Sequence, residues 1–150
     1  MMPWLPLGNY LGREIRVIDN ASLDRSLSAE QLNGSLLMIV ADFELIADAQ
    51  QRTFFNSVIS SSSLAIMLFG NSAEVAFDLL IALLSDAEPT RHIMTKYLNT
   101  GTLEDAVKDF IGATWPSEER FDEWKNYSIV IIAQSRLQEI QTIVKELRRS

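Results

Sequence analysis

The chain contains no cysteine and a single histidine, His92. The first absence excludes disulfides, thiolate nucleophiles and cysteine-ligated metals, and gives no sign of an oxidising compartment. The second excludes a histidine-built metal centre. His92 follows Arg91 at the start of a mixed apolar run, the wrong end of a parallel strand for a site, so it is read as structural or surface. Also missing are the Gly-x-x-x-x-Gly-Lys phosphate loop, the Gly-x-Gly-x-x-Gly dinucleotide fingerprint and the Gly-x-Ser-x-Gly nucleophile elbow. No catalytic residue, metal site or cofactor is assigned.

Positive charge is in deficit. Thirteen Lys and Arg stand against 20 Asp and Glu, a formal net charge of -7. A surface of that sign repels phosphate backbones and anionic bilayers, which argues against nucleic acid and membrane as partners. A long apolar span is missing too. Thr53 to Ala73 is uncharged, but Asn56, Ser60 to Ser63, Gly70 and Asn71 divide it, whereas a membrane helix needs about 20 predominantly apolar residues. Residues 1–8 lack the basic and apolar regions of a signal peptide. A cytoplasmic location is the default expectation.

What remains is globular: 150 residues, 47% hydrophobic and 22% charged, the length of one domain. Residues 1–12, rich in Pro, Gly and aromatics, read as an irregular arm. Arg13 to Ile18 alternates charged and apolar residues, as a half-exposed edge strand does. Leu36 to Ala41, Leu64 to Phe69 and Tyr127 to Ile132 are continuous apolar runs, the pattern of parallel strands covered on both faces. His92 to Leu98 is mixed and suits a strand nearer the sheet edge. Helix starts intervene: capping-box spacings occur at Ser28/Gln31, Asp48/Gln51, Asn71/Glu74 and Ser135/Gln138, and Thr102 precedes Glu104 and Asp105. Pro116 opens one more short helix through Trp124. The order predicts a single α/β domain over 1–150. Its expected form is a three-layer αβα fold with a mostly parallel sheet of about four to five strands, Rossmann-like or flavodoxin-like in topology.

In such a sheet ligands bind beyond the carboxyl ends of the strands. Asp42, Glu44, Asn71, Ser72 and Thr102 fall at that edge and are the candidate ligand-binding residues. Glycine next to a helix start, as at Gly70-Asn71-Ser72 and Gly101-Thr102, offers backbone N–H groups to an anion. Asp42 and Glu44 would form an acidic pair for acid–base work or a divalent cation. A phospho-accepting receiver domain would need a further Asp and a late Lys at this edge; Gly70-Asn71 and Gln134-Ser135 stand there instead.

A second set of residues suits a protein partner. Phe43, with Leu45 and Ile46, is apolar within a loop, and such residues either tuck onto the core or face a partner. Glu118, Glu119 and Asp122 flank Phe121 and Trp124, an acidic face with aromatic anchors suited to a basic partner. The segment from Ala73 to Leu84 is apolar nearly all round, so more than one side needs cover, from the N-terminal arm or from a second copy in a homodimer. The expected function is non-catalytic protein–protein binding, of a regulatory or immunity-like kind. The alternative is a binder of a small anionic or nucleotide-like ligand at the sheet edge, with an enzyme as one form of it.

Overall fold

The computed structural model describes residues 4–19, 32–61, 63–86, 93–132 and 136–149. The Ser28/Gln31 box, His92, Gln134 and Ser135 lie outside them. Among the described residues the strands are β1 (Leu5–Tyr10), β2 (Arg13–Ile18), β3 (Ser35–Ala41), β4 (Ala65–Phe69), β5 (Met94–Leu98) and β6 (Asn126–Ile132). The helices are α1 (Asp48–Ser60), α2 (Ala73–Asp86), α3 (Leu103–Ala113) and α4 (Leu137–Arg149). Short 3-10 turns occupy Phe43–Leu45 and Glu118–Glu123.

The strands form one six-stranded sheet in the order β1-β2-β6-β3-β4-β5. All neighbours are parallel except β1, which runs antiparallel to β2. The expected α/β class and mostly parallel sheet are found; among the described residues the strand count is six, not four to five. The additional strand comes from the arm expected to be irregular. Leu11 and Gly12, at φ 53° and 78°, make a tight turn of two left-handed residues, whose twist matches that of a hairpin. That turn folds β1 back onto β2 despite Pro6 and a bulge between Pro6 and Gly8. In consequence β2 is not an edge strand, as its alternation suggested, but lies between β1 and β6.

The uninterrupted apolar runs are interior. Every residue of β3 and β4 is buried, and each large aliphatic side chain among them contributes about 1.5–3 kcal/mol of burial. Alternate side chains sort into two clusters, as the strand period of two requires. Leu36, Met38 and Val40 pack with Val107 and Phe110 of α3 and Ile140 and Val144 of α4. Leu37, Ile39 and Ala41 pack with Phe55 and Val58 of α1 and Ala76 and Leu80 of α2. A polar knot interrupts the core. Buried Ser35 and Ser128 both donate to Asn126 Oδ1, at 2.6 and 2.9 Å, and Arg16 Nε donates to Ser128 Oγ at 2.9 Å. The Arg16 guanidinium lies 4.1 Å from the Trp4 ring centroid. Burial lowers its pKa, and nearby Glu14 opposes that shift.

Helix α2 is not covered all round. Its Ala73, Ala76 and Leu80 are buried, but Val75 is 69% exposed and Ile81 38%. The described part of the arm lies away from this helix, because β1 ends the sheet opposite β5, against which α2 packs.

Candidate functional site

Because β2 to β6 run in one direction, their carboxyl ends share a rim. There Asp42 follows β3, Gly70, Asn71 and Ser72 follow β4, and Asn99 to Thr102 follow β5. A cavity of about 220 Å³ opens between them, lined by Asp42, Gly70, Asn71, Asn99, Gly101 and Arg136 together with Ala41 and Phe69. Asp42 and Asn71 thus lie where the sequence places them. Glu44 and Ser72 stand beside the cavity, joined by a 3.0 Å hydrogen bond from the serine hydroxyl. Thr102 is occupied differently: its Oγ1 accepts from the Asp105 N–H at 3.1 Å, capping α3, and it lines another shallow cavity with Glu104 and Gln138.

Asp42 and Glu44 do not converge as an acidic pair. Asp42 Oδ1 accepts from the Glu44 N–H at 3.2 Å and starts the 3-10 turn, while the Glu44 carboxylate turns to Ser72. Among the described residues no group of three or more His, Asp or Glu side chains is arranged to hold a metal ion. Nor do the expected caps form at α1 and α2. Helix α1 begins at Asp48 with Ala47 before it and no side-chain cap. Gln51 instead donates to the Phe43 and Ile46 carbonyls, both at 3.1 Å. Before α2, Ser72 at φ 61° is the last residue, and the Asn71 carbonyl accepts from the Phe43 N–H at 3.0 Å. The rim is held by cross-loop backbone bonds. Arg136, which the sequence did not mark, brings a guanidinium to the cavity lining and binds Glu139 through two of its three nitrogens, at 3.1 and 2.8 Å.

The opposite, amino edge of the sheet carries a different surface. Helix α3 ends there, and the Glu118–Glu123 turn leads into β6. Trp115 and Phe121 stack nearly parallel, with 14° between planes and centroids 6.2 Å apart, yet remain 46% and 40% exposed. Trp124 meets both rings edge-on and is itself buried. Arg13 sits 3.8 Å from the Trp124 centroid and 5.4 Å from that of Phe121. Around this stack Glu118, Glu119 and Asp122 are exposed. Arg120 is buried, donating to the Ser63 carbonyl at 3.2 Å and pairing with Glu123 at 3.3 Å.

No protein-family model matches the chain, and no curated protein sequence does either.

Three residues that the sequence offered to a partner are interior: Phe43, Ile46 and Trp124. Phe43 is 3% exposed and Ile46 7%, both tucked into the core, while Leu45 between them is 70% exposed. Trp124 is interior because the chain leaves the turn there in an extended conformation and points the indole at Tyr127, centroids 5.4 Å apart. Phe121 remains exposed at the surface. Its exposed companion is Trp115, whose only signal in sequence was a tryptophan just past a helix end and before Pro116. Beyond Trp115 lies a further cavity of about 190 Å³, bounded by Ile66, Met94, Thr95, Lys96, Ala113 and Thr114.

Proposed function

We propose that the protein acts without catalysis, by binding another protein through the acidic aromatic face at the amino edge of its sheet. A regulatory or immunity-like role follows that description. The observation carrying it is the exposed Trp115–Phe121 stack set among Glu118, Glu119 and Asp122. Large aromatics anchor protein interfaces by burying area at low entropic cost, and carboxylates around them select a positively charged partner. The net charge of -7 adds long-range steering of the same sign. A cytoplasmic setting and a three-layer αβα fold belong to this reading. The two clusters on alternate strand positions support the fold. Among the described residues no helix is long and apolar enough to cross a membrane.

The test compares the native protein with a Trp115→Ala/Phe121→Ala variant as baits in extracts of the source cell. The expected result is a basic protein retained by the first, released by salt and lost from the second, with both baits equally folded by circular dichroism. Equal retention by both baits, or none by either, refutes the proposal.

A second reading rests on the rim cavity, whose lining of Asp42, Asn71, Asn99 and Arg136 suits a small polar or anionic ligand. Thermal-shift screening with phosphate, nucleotides and divalent ions tests it. A ligand at a hundred times its Kd adds about 2.7 kcal/mol, and a flat response across the panel removes this reading.

A further inference from the structure

The sheet ends in β5, whose one strand neighbour among the described residues is β4. The Met94 N–H donates to Leu64 O at 3.2 Å and the Leu98 carbonyl accepts from the Gly70 N–H at 3.4 Å. Both bonds point inward. By the strand period of two, the N–H and C=O groups of Thr95 and Tyr97 point outward, away from the sheet. The 190 Å³ cavity lies along this same edge, between β5 and the end of α3, with Met94 at 51% exposure and Trp115 at 46% on its walls. Trp115 is shared: it closes the cavity on one side and forms the acidic aromatic stack on the other. Edge, cavity and acidic face are thus one continuous surface.

Resting on the proposed docking function, we infer that the partner element is an extended, basic segment that adds to β5 as a further strand. It seats one apolar side chain in the Met94–Trp115 cavity and directs a Lys or Arg toward Trp115, Phe121, Glu118 and Asp122. Strand addition satisfies the outward groups of Thr95 and Tyr97 and gives affinity through main-chain bonds, while alternate side chains give specificity. Residues two apart on an added strand share a face, so the apolar and basic residues would stand at that spacing. Charge complementarity selects the basic class, and the molecule already displays the chemistry: Arg13 lies over Trp124 and Phe121 of the same aromatic cluster. Lys96, on the edge strand, is held by Asp109 at 2.5 Å, which offsets its repulsion of a basic segment.

The experiment uses the fluorescent peptide Lys-Thr-Lys-Thr-Val-Thr-Lys-Thr-Lys, its counterpart with Glu for Lys, and a third form N-methylated at alternate backbone positions. Titrations are made against the native protein, the Trp115→Ala/Phe121→Ala variant and Thr95→Pro. The last removes an outward N–H and no inward ladder bond, a replacement that edge strands tolerate. Where Thr95→Pro fails to fold, the N-methylated peptide tests the same bonds from the other side. The expected result is binding of the Lys peptide alone, weakened by salt. It should fall by roughly tenfold or more in the aromatic variant, in Thr95→Pro and on N-methylation. If the aromatic variant loses binding while Thr95→Pro and the N-methylated peptide retain it, strand addition is overturned and the docking function stands. If the reverse holds, both are overturned. Equal binding of the Glu peptide, no binding of either, or a dimer that Thr95→Pro dissolves overturns the inference as well.

Discussion

Replacing Gly70 with Ala should be among the most damaging small changes in this chain. Gly70 has φ +136°, a backbone conformation that L-residues rarely adopt, and a Cβ built there would overlap the Ala41 carbonyl oxygen of β3. Backbone strain of this kind costs about 1–3 kcal/mol, and overfilling a packed site costs a similar amount. The obstructing atom is main chain in a fully buried strand, so no rotamer change relieves it. A loss of about 3–5 kcal/mol follows, from a total that is typically ~5–15 kcal/mol. With a urea m-value near 2 kcal/mol/M, the unfolding midpoint should fall by about 2 M. Gly112 supplies the internal control. It lies in α3 with open space where a Cβ would stand and no positive φ, so Gly112→Ala should stabilise by about 0.4–1 kcal/mol. The assay is urea unfolding of both variants by tryptophan fluorescence. A Gly70→Ala midpoint within roughly 0.3 M of the native value would refute the steric reasoning.

Three other outcomes can be checked on the same footing. Burial pushes the Tyr127 phenol up to about 12, with Arg13 opposing and Tyr10 adding to the shift. Between the ordinary tyrosine value and about 12 the unfolded chain ionises first, so stability falls as pH rises through that window. Tyr127→Phe should remove that part of the alkaline slope in a melting-temperature series, and a slope left unchanged counts against the assignment. Arg120→Ala leaves the Ser63 carbonyl without its buried charged donor and should cost about 1.5–3 kcal/mol. Glu123→Gln, on the half-exposed side of the same ion pair, should cost less than about 1 kcal/mol by urea unfolding; the opposite ranking would be wrong for this geometry. Ser35→Ala removes a buried hydroxyl bonded to Asn126 and should cost about 1 kcal/mol in the same assay.

How far the sequence led depended on how local each feature is. The uninterrupted apolar runs of β3, β4 and β6 were legible because burial on both faces leaves no polar alternation. Their bounds lay within a residue of the observed ones: Ser35 joins β3 because Asn126 and Ser128 satisfy its hydroxyl, which no local pattern announces. Strand β1 was hidden because its pairing depends on a Leu11-Gly12 turn without the usual Asn-Gly signature. Thr102 caps as expected, but Gln51 ties the Phe43 loop to α1 instead of closing a box, a contact set by tertiary packing. The rim followed from parallel strands alone and gave Asp42 and Asn71. Arg136 depends on where α4 folds back, so nothing in the pattern marked it. At the acidic face the sequence suggested Phe121 and Trp124 as joint anchors on one helix. The chain leaves its 3-10 turn at Trp124, so one ring stays outside and the other goes in.

The two margins of the sheet are unlike. On the β1 side, a proline, a bulge and Gly8 spoil the regular row of donors that another chain would need. On the β5 side the row is short but regular. A molecule with one receptive margin accepts a single guest and stops, because head-to-tail growth into fibres requires two. If β5 accepts a strand as proposed, the β1–β2 hairpin would restrict pairing at the other margin, and a Pro6→Val change is where loss of that restraint would first be seen.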